Sequence, residues 1–385
     1  MRVSSWPDVR ILVAHNVSRQ RTGGMSRIMG FIHDEIAAAG HQVDWLCAED
    51  VPRRWQGARA RFGFPWLVWR TARAAANLGE PYDIINVHEP QGALVALDQR
   101  RVSRHGVVVT SHGLERRAWD LALEEARQGR QGPSRRTRLI YPATSLWQSR
   151  LALTRARLVF VLNEEDRDYL SDRWGLPVAR IGRMRPGASE LFAKSASART
   201  YDAARCLVFA GTWRKNKGIE DLVPAFSTLA QRHGDLALVV LGAGVDASVV
   251  RAAFPPVVRS RVDVVTDADD QVAARVLASA DVFVLPSLFE GTPLTLIEAM
   301  MSGLPIVTTG TCGMKDTVQH DVTGLLVPVR APEEIVAAVE RLRGDPDLRR
   351  RLGRAAQLAA RTRFTWPQVA REVLAAYEEL AGRAA

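Results

Sequence analysis

The sequence predicts an α/β protein with two doubly wound, parallel-sheet domains. Short apolar runs rich in β-branched residues recur along the chain, and most are followed by a segment with helical periodicity. At 385 residues the chain is also too long for one ordinary core. We therefore expect a first domain over 1–190, a second over 203–365 and a closing helix within 366–385. The segment 188–204, rich in alanine and serine, is interpreted as the linker.

Composition is typical of a globular protein in a reducing compartment. Hydrophobic residues make up 47% and charged residues 24%, and no segment reaches the roughly 20 apolar residues that a spanning helix needs. The N-terminus lacks the apolar stretch of a signal peptide. Cys47, Cys206 and Cys312 lie far apart, which argues against a disulfide framework or a zinc cluster. We expect cytoplasmic localisation.

The formal net charge of +10 is concentrated in the first half of the chain. Residues 1–200 hold 31 Lys and Arg against 20 Asp and Glu, whereas residues 201–385 hold 21 against 22. A basic half attracts an anionic substrate or an anionic membrane surface, or it simply keeps the protein in solution. We expect no nucleic-acid partner, because no recognised binding module accompanies the charge.

A basic and aromatic stretch over 51–78 raises the question of membrane contact. Six arginines are interleaved there with three tryptophans and two phenylalanines, a pattern typical of helices in a membrane interface. Pro65 interrupts the pattern, so we interpret 66–78 as an ordinary helix that covers the sheet. Peripheral contact of the basic half with an anionic membrane stays open beside that interpretation.

Strands and helices alternate through the first half. We predict strands at 9–14, 42–47, 82–87, 107–110, 158–162 and 181–186, and helices at 26–39, 66–78, 141–155 and 163–174. The segment 115–138 is polar and arginine-rich and contains glycine and proline. We predict that it forms a mobile loop or lid.

Two places in this half are candidates for a binding site. Gly23 and Gly24 open the first helix, where glycine lets the backbone approach a bound group, although a flexible turn explains them equally well. His112 directly follows a strand, which puts it at the carboxyl edge of the parallel sheet, where ligands bind. A single histidine is usually structural, but this placement makes His112 a site candidate.

The second half repeats the alternation. We predict strands at 206–210, 236–241, 262–265, 282–285, 306–308 and 324–328, and helices at 271–278, 294–301, 332–343, 346–363 and 366–380. A further amphipathic helix begins near Ile219, because Ile219, Leu222, Val223 and Phe226 share one face.

The loop GTWRKNKG connects the first strand of this half to its first helix. Arg214, Lys215 and Lys217 lie where the strand passes into the helix N-terminus. Cations beside free helix amides make a strong site for a diphosphate. A basic loop without a ligand is the alternative interpretation.

The segment 281–309 has the order strand, turn, helix, turn, strand. We predict Thr292 as the N-cap of its helix and Pro293 as the first helical residue. The backbone amides of Leu294 and Thr295 would then face an anion such as a phosphate.

Two carboxylates stand at fixed places in the same segment. Glu290 lies just before the helix and Glu298 lies within it. A carboxylate repels phosphate, so the expected partners are hydroxyls of a ribose or a sugar. These residues alone leave open that both are ordinary surface residues.

Two further patterns suggest other chemistry. GAGVDA (242–247) matches GxGxxA and supports an NAD-binding alternative, but it follows the second strand of its sheet and lacks the expected acidic residue. The stretch from Asp267 to Asp270 resembles a metal-binding DxD, but it precedes a helix, so helix capping is the preferred role. We expect no metal site and no resident cofactor.

The second half resembles a known family. FVLPSLFEGTPLTLIEAMMSGLPIVTT (283–309) resembles the E-x7-E signature of retaining glycosyltransferases with the GT-B fold, family 4 type (glycosyl transferases group 1). GTWRKNKG, TGLLV and FTW agree with it, as do TGG, GHQVDWL, YDIINVHEP and TSHG in the first half. The resemblance implies two Rossmann-like domains facing across a cleft, with the acceptor on the first and the nucleotide-sugar donor on the second. It also implies a C-terminal helix that returns to the first domain.

The resemblance assigns roles to residues of the second half. Glu298 would hold the ribose hydroxyls, and Glu290 would contact the donor sugar near the reacting carbon. The amides of Leu294 and Thr295 would receive the diphosphate. Lys217 and Arg214 would neutralise the leaving phosphate.

In the first half, Gly23 and Gly24 would close over the diphosphate and His112 would contact the sugar. The catalytic set is thus Glu290, His112 and Lys217. Two departures from the family pattern are Thr212, where the family has arginine, and the turn 185–188, which keeps the glycine of a PNG turn but not the asparagine.

The expected function is retaining, metal-independent transfer of a sugar from a nucleotide diphosphate sugar, UDP- or GDP-linked, to an unidentified acceptor in glycan, glycolipid or polysaccharide biosynthesis. The acceptor is expected to contain a sugar, to be lipid-linked or to be another small molecule. The alternatives are a sugar-nucleotide epimerase, an NAD-dependent enzyme and a non-catalytic protein of the membrane surface.

Overall fold

The computed structural model describes residues 9–20, 24–130, 132–266 and 268–382. The chain divides into two compact units. The first comprises Met1–Arg185 together with Trp366–Ala385, and the second comprises Pro186–Thr365. Gly23 and Asp267, which the sequence singled out, lie outside the described residues.

The first unit is built on a six-stranded parallel sheet in the order β2-β1-β3-β4-β5-β6. Its strands are β1 (Arg10–Ala14), β2 (Gln42–Leu46), β3 (Tyr82–His88), β4 (Ser103–Thr110), β5 (Leu158–Val161) and β6 (Ile181–Arg183). The α-helices of this unit that precede β6 are α1 (Gly24–Ala38), α2 (Ala60–Asn77), α3 (Ala93–Leu97), α4 (Gln99–Val102), α5 (Glu115–Arg127), α6 (Arg135–Tyr141), α7 (Trp147–Arg155) and α8 (Glu164–Asp168). A π-helical segment, Pro142–Leu146, joins α6 to α7.

The second unit contains another six-stranded parallel sheet, in the order β12-β11-β10-β7-β8-β9. Its strands are β7 (Cys206–Ala210), β8 (Ala237–Leu241), β9 (Val262–Val265), β10 (Val282–Leu285), β11 (Ile306–Thr309) and β12 (Leu325–Val327). Its helices are α9 (Glu190–Ser195), α10 (Ile219–Arg232), α11 (Ala247–Ala252), α12 (Asp270–Ser279), α13 (Leu294–Met301), α14 (Cys312–Thr317), α15 (Pro332–Gly344) and α16 (Pro346–Arg363). Helices cover both faces of the central strands, which explains why β10 and β11 are buried along their whole length.

The last helix, α17 (Trp366–Gly382), belongs to the first unit. Trp366 stacks on Phe31 of α1 with 4.9 Å between ring centroids. The buried Tyr377 hydroxyl accepts a 2.7 Å hydrogen bond from the side-chain amide of Asn86 in β3. The predicted return of the closing helix to the first domain is therefore confirmed.

Three local expectations were wrong. The segment 115–138 is not a loop: it contains α5 and most of α6, and Trp119 stacks on Tyr141 with 5.0 Å between ring centroids. Pro65 does not end a helix, because it lies buried inside α2, in its second turn. Because proline has no backbone N–H, one hydrogen bond of the helix is missing at that position.

The segment 188–204 is not an open linker. It contains α9, whose Phe192 is fully buried. Arg199 donates hydrogen bonds of 2.7 Å to the Ser302 carbonyl and 2.6 Å to the Ala280 carbonyl. The segment is therefore a packed part of the second unit, which begins at Pro186 rather than at 203.

Strand order locates the candidate sites. In the first sheet the connections reverse direction between β1 and β3, and in the second sheet between β7 and β10. Ligands of open parallel sheets bind at the carboxyl ends of the strands beside such a reversal. Among the described helices none is both long and apolar enough to cross a bilayer.

Candidate active site

The loop after β7 is held tightly by backbone hydrogen bonds. The Trp213 amide donates to the Ala243 carbonyl at 2.7 Å, and the Leu288 amide donates to the Asn216 carbonyl at 2.8 Å. The second of these bonds ties the loop to the one that follows β10. Lys217 is thereby fixed beside the loop that carries Glu290.

Gly218 makes this close approach sterically allowed. Its φ is +72°, and a Cβ built there would lie 1.8 Å from the carbonyl oxygen of Pro286. Any side chain would collide with the β10 loop and would also strain the left-handed backbone.

Lys217 and Glu290 form an ion pair. Their side chains are only 17% and 14% exposed. The Ser287 hydroxyl donates a 3.3 Å hydrogen bond to the same carboxylate oxygen of Glu290. A cation and a carboxylate are thus held together, partly shielded from water, at the reversal point between β7 and β10.

Helix α13 begins beside this pair. Pro293, with φ −68° and ψ 122°, is its N-cap residue, so the predicted Thr292 cap was off by one position. The N-cap side chain makes no capping hydrogen bond, because proline carries no acceptor there. The Thr295 hydroxyl donates to the Ala210 carbonyl at 2.9 Å, which pins the helix start to the end of β7.

The start of α13 is therefore an electropositive point at the sheet edge. The first amides of a helix, here those of Leu294 and Thr295, have no intrahelical acceptor, and the helix dipole adds partial positive charge there. Glu298 lies one turn further along α13 and is 2% exposed. Neither Glu298 nor Glu290 is an ordinary surface residue.

The other cations of the loop differ from Lys217. Lys215 is engaged with Glu220 at 2.5 Å. Arg214 is exposed and has no carboxylate partner within the described part of the chain. Lys217 is therefore the cation of this loop that packs beside Glu290, while Arg214 lies free at its rim.

In the first unit, His112 is not a single histidine. Its Nε2 lies 2.9 Å from Nδ1 of His88, and the two rings stack with 4.8 Å between centroids. The His15 ring lies 5.7 Å from that of His88. These three side chains follow or end β1, β3 and β4, at the carboxyl edge beside the reversal point of the sheet.

Sequence reasoning missed His15 and His88. The available signal was that each stands at the carboxyl end of a predicted strand, the same signal that identified His112. The pairing of His88 with His112 depends on the register of β3 and β4, in which His88 lies opposite Thr110.

The hydrogen bond between the two rings indicates their tautomers. Nε2 of His88 is buried and has no hydrogen-bond partner. A buried N–H without an acceptor costs more than a buried lone pair without a donor. His88 therefore carries its proton on Nδ1 and donates it to Nε2 of His112, so that His112 carries its own proton on Nδ1.

Burial keeps these histidines neutral. Burial, and then the neighbouring His15, lowers the pKa of His112 to about 4. Burial, and then His112, lowers the pKa of His88 well below its usual value. At neutral pH His112 is thus a hydrogen-bond donor through an uncharged ring.

A pair of buried carboxyl groups lies further along the same edge. Glu89 follows β3, and its Oε1 accepts from the Ser149 hydroxyl and, at 3.2 Å, from the Glu115 amide. Burial, and then the nearby Glu115, raises the pKa of Glu89 to about 8. Burial also raises the pKa of Glu115, whose carboxylate accepts from the Tyr141 hydroxyl. Glu89 is therefore largely protonated at neutral pH.

Known family models match both units of the chain. The family model for glycosyl transferases group 1 matches residues 204–345, and the model for glycosyltransferase family 4 matches residues 22–188. Together they cover most of both units. The chain belongs to the family 4 type of GT-B glycosyltransferases.

Individual relatives of this GT-B chain agree with that assignment. It is 34% identical over 212 residues, 55% of the chain and 52% of the relative, to a GDP-mannose-dependent alpha-mannosyltransferase of Mycolicibacterium smegmatis. It is 28% identical over 310 residues, 77% of the chain and 73% of the relative, to a D-inositol 3-phosphate glycosyltransferase of Paenarthrobacter aurescens. Several other matches span only about half the length of the curated relatives, for example 47% and 42%.

A solved structure shows the same fold. Sucrose-phosphate synthase of Thermosynechococcus elongatus superposes with a TM-score of 0.77 at 21% identity, covering 97% of this chain and 100% of that structure. The GT-B architecture expected from the sequence is thereby confirmed.

The patterns that suggested other chemistry have structural roles in this chain. The GAGVDA turn accepts the Trp213 amide through the Ala243 carbonyl, so it supports the loop that carries Lys217. Asp269 caps α12 by accepting the Val272 amide at 2.8 Å, as the capping interpretation predicted. Across the described ranges no group of three or more metal-ligating side chains occurs.

The predicted site residues thus fall into two sets. Lys217, Glu290, Glu298 and the start of α13, with its Leu294 and Thr295 amides, lie together in the second unit. His112 and Gly24 belong to the first unit. Gly24 is the first residue of α1, and a Cβ there would meet no atom within 4 Å, so protein packing does not require a glycine.

Proposed function

We propose that this GT-B chain transfers a sugar from a nucleotide diphosphate sugar to an acceptor, with retention of the anomeric configuration. The observation that carries the proposal is the shielded ion pair of Lys217 and Glu290 at the start of α13. A carboxylate, a cation and free helix amides at one reversal point suit a ligand that has both hydroxyls and phosphates.

Donor binding follows from the charges of the second unit. The diphosphate lies at the Leu294 and Thr295 amides, with Lys217 beside it. Arg214, exposed at the rim of the same loop, reaches the phosphate from outside and stands in for the arginine that Thr212 replaces. Glu298, buried one turn into α13, accepts from the ribose hydroxyls.

The reaction breaks the bond between the anomeric carbon and the leaving phosphate oxygen and forms one between that carbon and an acceptor oxygen. The acceptor proton passes to the departing phosphate oxygen, so no second carboxylate is required. Lys217 and the α13 dipole stabilise the charge that develops on the leaving diphosphate. Because these groups supply positive charge, the proposal requires no metal ion. Glu290 orients the sugar through its hydroxyls.

The first unit contributes to the sugar and acceptor side. His112, with its proton on Nδ1, donates a hydrogen bond to a sugar hydroxyl. Gly24, the first residue of α1, leaves room for the diphosphate, and the proposal gives Gly23, which precedes it in the sequence, the same role. The acceptor is a sugar-containing, lipid-linked or other small molecule of glycan, glycolipid or polysaccharide biosynthesis.

A thermal-shift screen tests the donor site. UDP-, GDP-, ADP- and TDP-sugars are compared, with GDP-mannose included because the Mycolicibacterium relative is named for it. A ligand at a hundred times its Kd adds about 2.7 kcal/mol to the free energy of unfolding, so a UDP- or GDP-sugar should raise the Tm clearly. No increase with any of the four bases contradicts the proposal.

Retention is tested on the product. Once an acceptor is found, the proton coupling at the new anomeric centre is measured by NMR and compared with that of the donor. An inverted centre would exclude the mechanism proposed above while leaving donor binding intact.

A further inference from the structure

An apolar stripe lies on the solvent side of the helical segment from α6 to α7. Leu139 is 77% exposed, Ile140 37% and Trp147 58%. Ala143, between them, is also exposed, so the stripe follows one face of the helix. All residues from 134 to 140 are exposed, and α6 buries no side chain. These apolar side chains therefore do not contribute to the core of the unit.

Arginines predominate in the sequence that carries this stripe, although Arg127 and Arg130 form ion pairs with Glu124 and Glu125 of α5. From residue 126 to residue 163 the sequence contains eight arginines and no aspartate or glutamate. Arg135, Arg136 and Arg138 lie on α6 itself, and Arg150 lies one turn beyond Trp147. Within the described residues, Arg135 and Arg136 have no carboxylate partner. Surfaces of proteins that remain in solution normally mix both signs of charge.

A second acid-free segment meets the first. Residues 51–79 contain six arginines and no acidic residue. Nη1 of Arg61, in the first turn of α2, lies 3.5 Å from the Thr144 hydroxyl of the π-helical segment. Phe62 beside it is 49% exposed. The two basic segments thus form one surface.

The tryptophans of α2 have a different role from the one their pattern suggests. Trp66 packs on Trp55 with 6.4 Å between ring centroids, and Trp69 donates from its indole nitrogen to Asp98 at 2.9 Å. They are partly buried and stabilise the unit. The exposed apolar groups lie instead at Phe62 and on the α6–α7 stripe.

We propose that the surface formed by Phe62, Leu139, Ile140 and Trp147, with the arginines of α6, docks on an anionic lipid bilayer. Leucine, isoleucine and phenylalanine enter the boundary of the acyl chains, and tryptophan prefers the headgroup level. Guanidinium groups bind lipid phosphates in a bidentate manner. Residues 135–140 of α6 are all exposed, and a bilayer matches both the charge and the apolar stripe of this helix.

Vesicle sedimentation tests this proposal independently of catalysis. The intact protein is mixed with phosphatidylcholine vesicles, or with vesicles that also contain phosphatidylglycerol, at low and at high salt. We expect binding to the phosphatidylglycerol vesicles only, weakened by salt. The triple variant R135Q/R136Q/R138Q should bind about a hundredfold more weakly, because each arginine near the surface contributes about a fivefold factor. The variant L139S/W147S should lose about tenfold or more.

Matched controls come from the second unit. R275Q/R351Q/R354Q removes the same charge from exposed positions, and L358S removes a leucine that is 66% exposed. Both should bind vesicles as the unaltered chain does. Equal loss in the control triple, equal binding to both kinds of vesicle, or no binding at all would overturn the proposal. Two further outcomes would also overturn the proposal, because they would assign the surface to another partner. One is retention on a soluble polyanion without vesicle binding. The other is a dimer in ultracentrifugation that L139S dissociates.

Discussion

Lys217 and Glu290 join the loop after β7 to the loop after β10 through an ion pair in which each side chain is less than one-fifth exposed. Removal of either member leaves the other as a poorly compensated charge. The pair thereby couples the position of the cation to that of the carboxylate, and both positions matter for the proposed transfer.

Lys217→Ala should lower kcat by about 10²–10³-fold, because the charge on the leaving diphosphate loses its nearest cation. The KM for the donor should change much less. Steady-state kinetics with the donor found in the thermal-shift screen measures both. Lys215→Ala is the matched control, since Lys215 is engaged with Glu220 in the same loop, and it should stay near the unaltered rate. Equal losses in the two variants would refute the role of Lys217.

Glu298→Gln should weaken nucleotide binding by roughly tenfold or more, because hydrogen bonds to a charged group contribute about 1.5–3 kcal/mol. Isothermal titration calorimetry with the nucleoside diphosphate measures this loss. Glu333→Gln, at an exposed position of α15, serves as the control and should bind normally. If neither Glu298→Gln nor Lys217→Ala changed nucleotide affinity, the assignment of the donor site would be wrong.

Gly218→Ala should destabilise the second unit by roughly 2–4 kcal/mol, since the residue has a left-handed backbone and its Cβ collides with a carbonyl oxygen. Differential scanning calorimetry should show the lower transition temperature. Gly234→Ala is the comparison, because a Cβ there meets no atom within 4 Å. It should leave the Tm nearly unchanged, and a similar loss in both variants would show that the contact with Pro286 is not the cause.

Glu89→Gln should change how stability depends on pH. Burial raises the pKa of Glu89 to about 8 from an ordinary value of 4.5. Its contribution to folding is therefore fully present below pH 4.5 and is lost as the pH rises through about 8. Glutamine resembles the protonated form, so the variant should melt at a higher temperature than the unaltered chain in alkaline buffer, with little difference in acid. Melting curves across pH, with Glu333→Gln as the surface control, measure this, and parallel curves would contradict it.

The lowered pKa of His112 predicts that stability is lost in acid, in contrast to the alkaline loss caused by Glu89. The pKa of His112 falls to about 4 from 6.5. Its neutral form therefore contributes stability that is present above pH 6.5 and is lost as the pH falls through about 4. The melting temperature of the unaltered chain should accordingly decline on both the alkaline and the acid side.

The tautomer of His112 can be observed directly. Long-range ¹H–¹⁵N NMR of the unaltered chain should show His112 protonated on Nδ1, with Nε2 as the acceptor. His88→Asn keeps a donor near the same place and should preserve that tautomer. His88→Phe removes the donor, so His112 should no longer be restricted to the tautomer with its proton on Nδ1. A proton on Nε2 of His112 in the unaltered chain would contradict the inferred arrangement.

Much of the fold was predictable because each strand and its glycine or proline boundary are local signals. The pairing of Lys217 with Glu290 was not, because β7 and β10 are distant in the sequence and become neighbours only through the sheet order. His88 was missed for the same reason: its contact with His112 depends on strand register. The helices at 115–138 were missed because α5 and α6 bury few side chains, so their polar composition resembles that of a loop.

Helix α17 has a consequence for synthesis of the protein on the ribosome. Chains emerge from the N-terminus onward, and domains fold as their residues become available. Residues 186–365 form the second unit without interruption, whereas the first unit needs Trp366 against Phe31 and Tyr377 against Asn86. The half of the molecule that is translated first is therefore completed last, and its partly covered sheet must persist while the entire second unit is made.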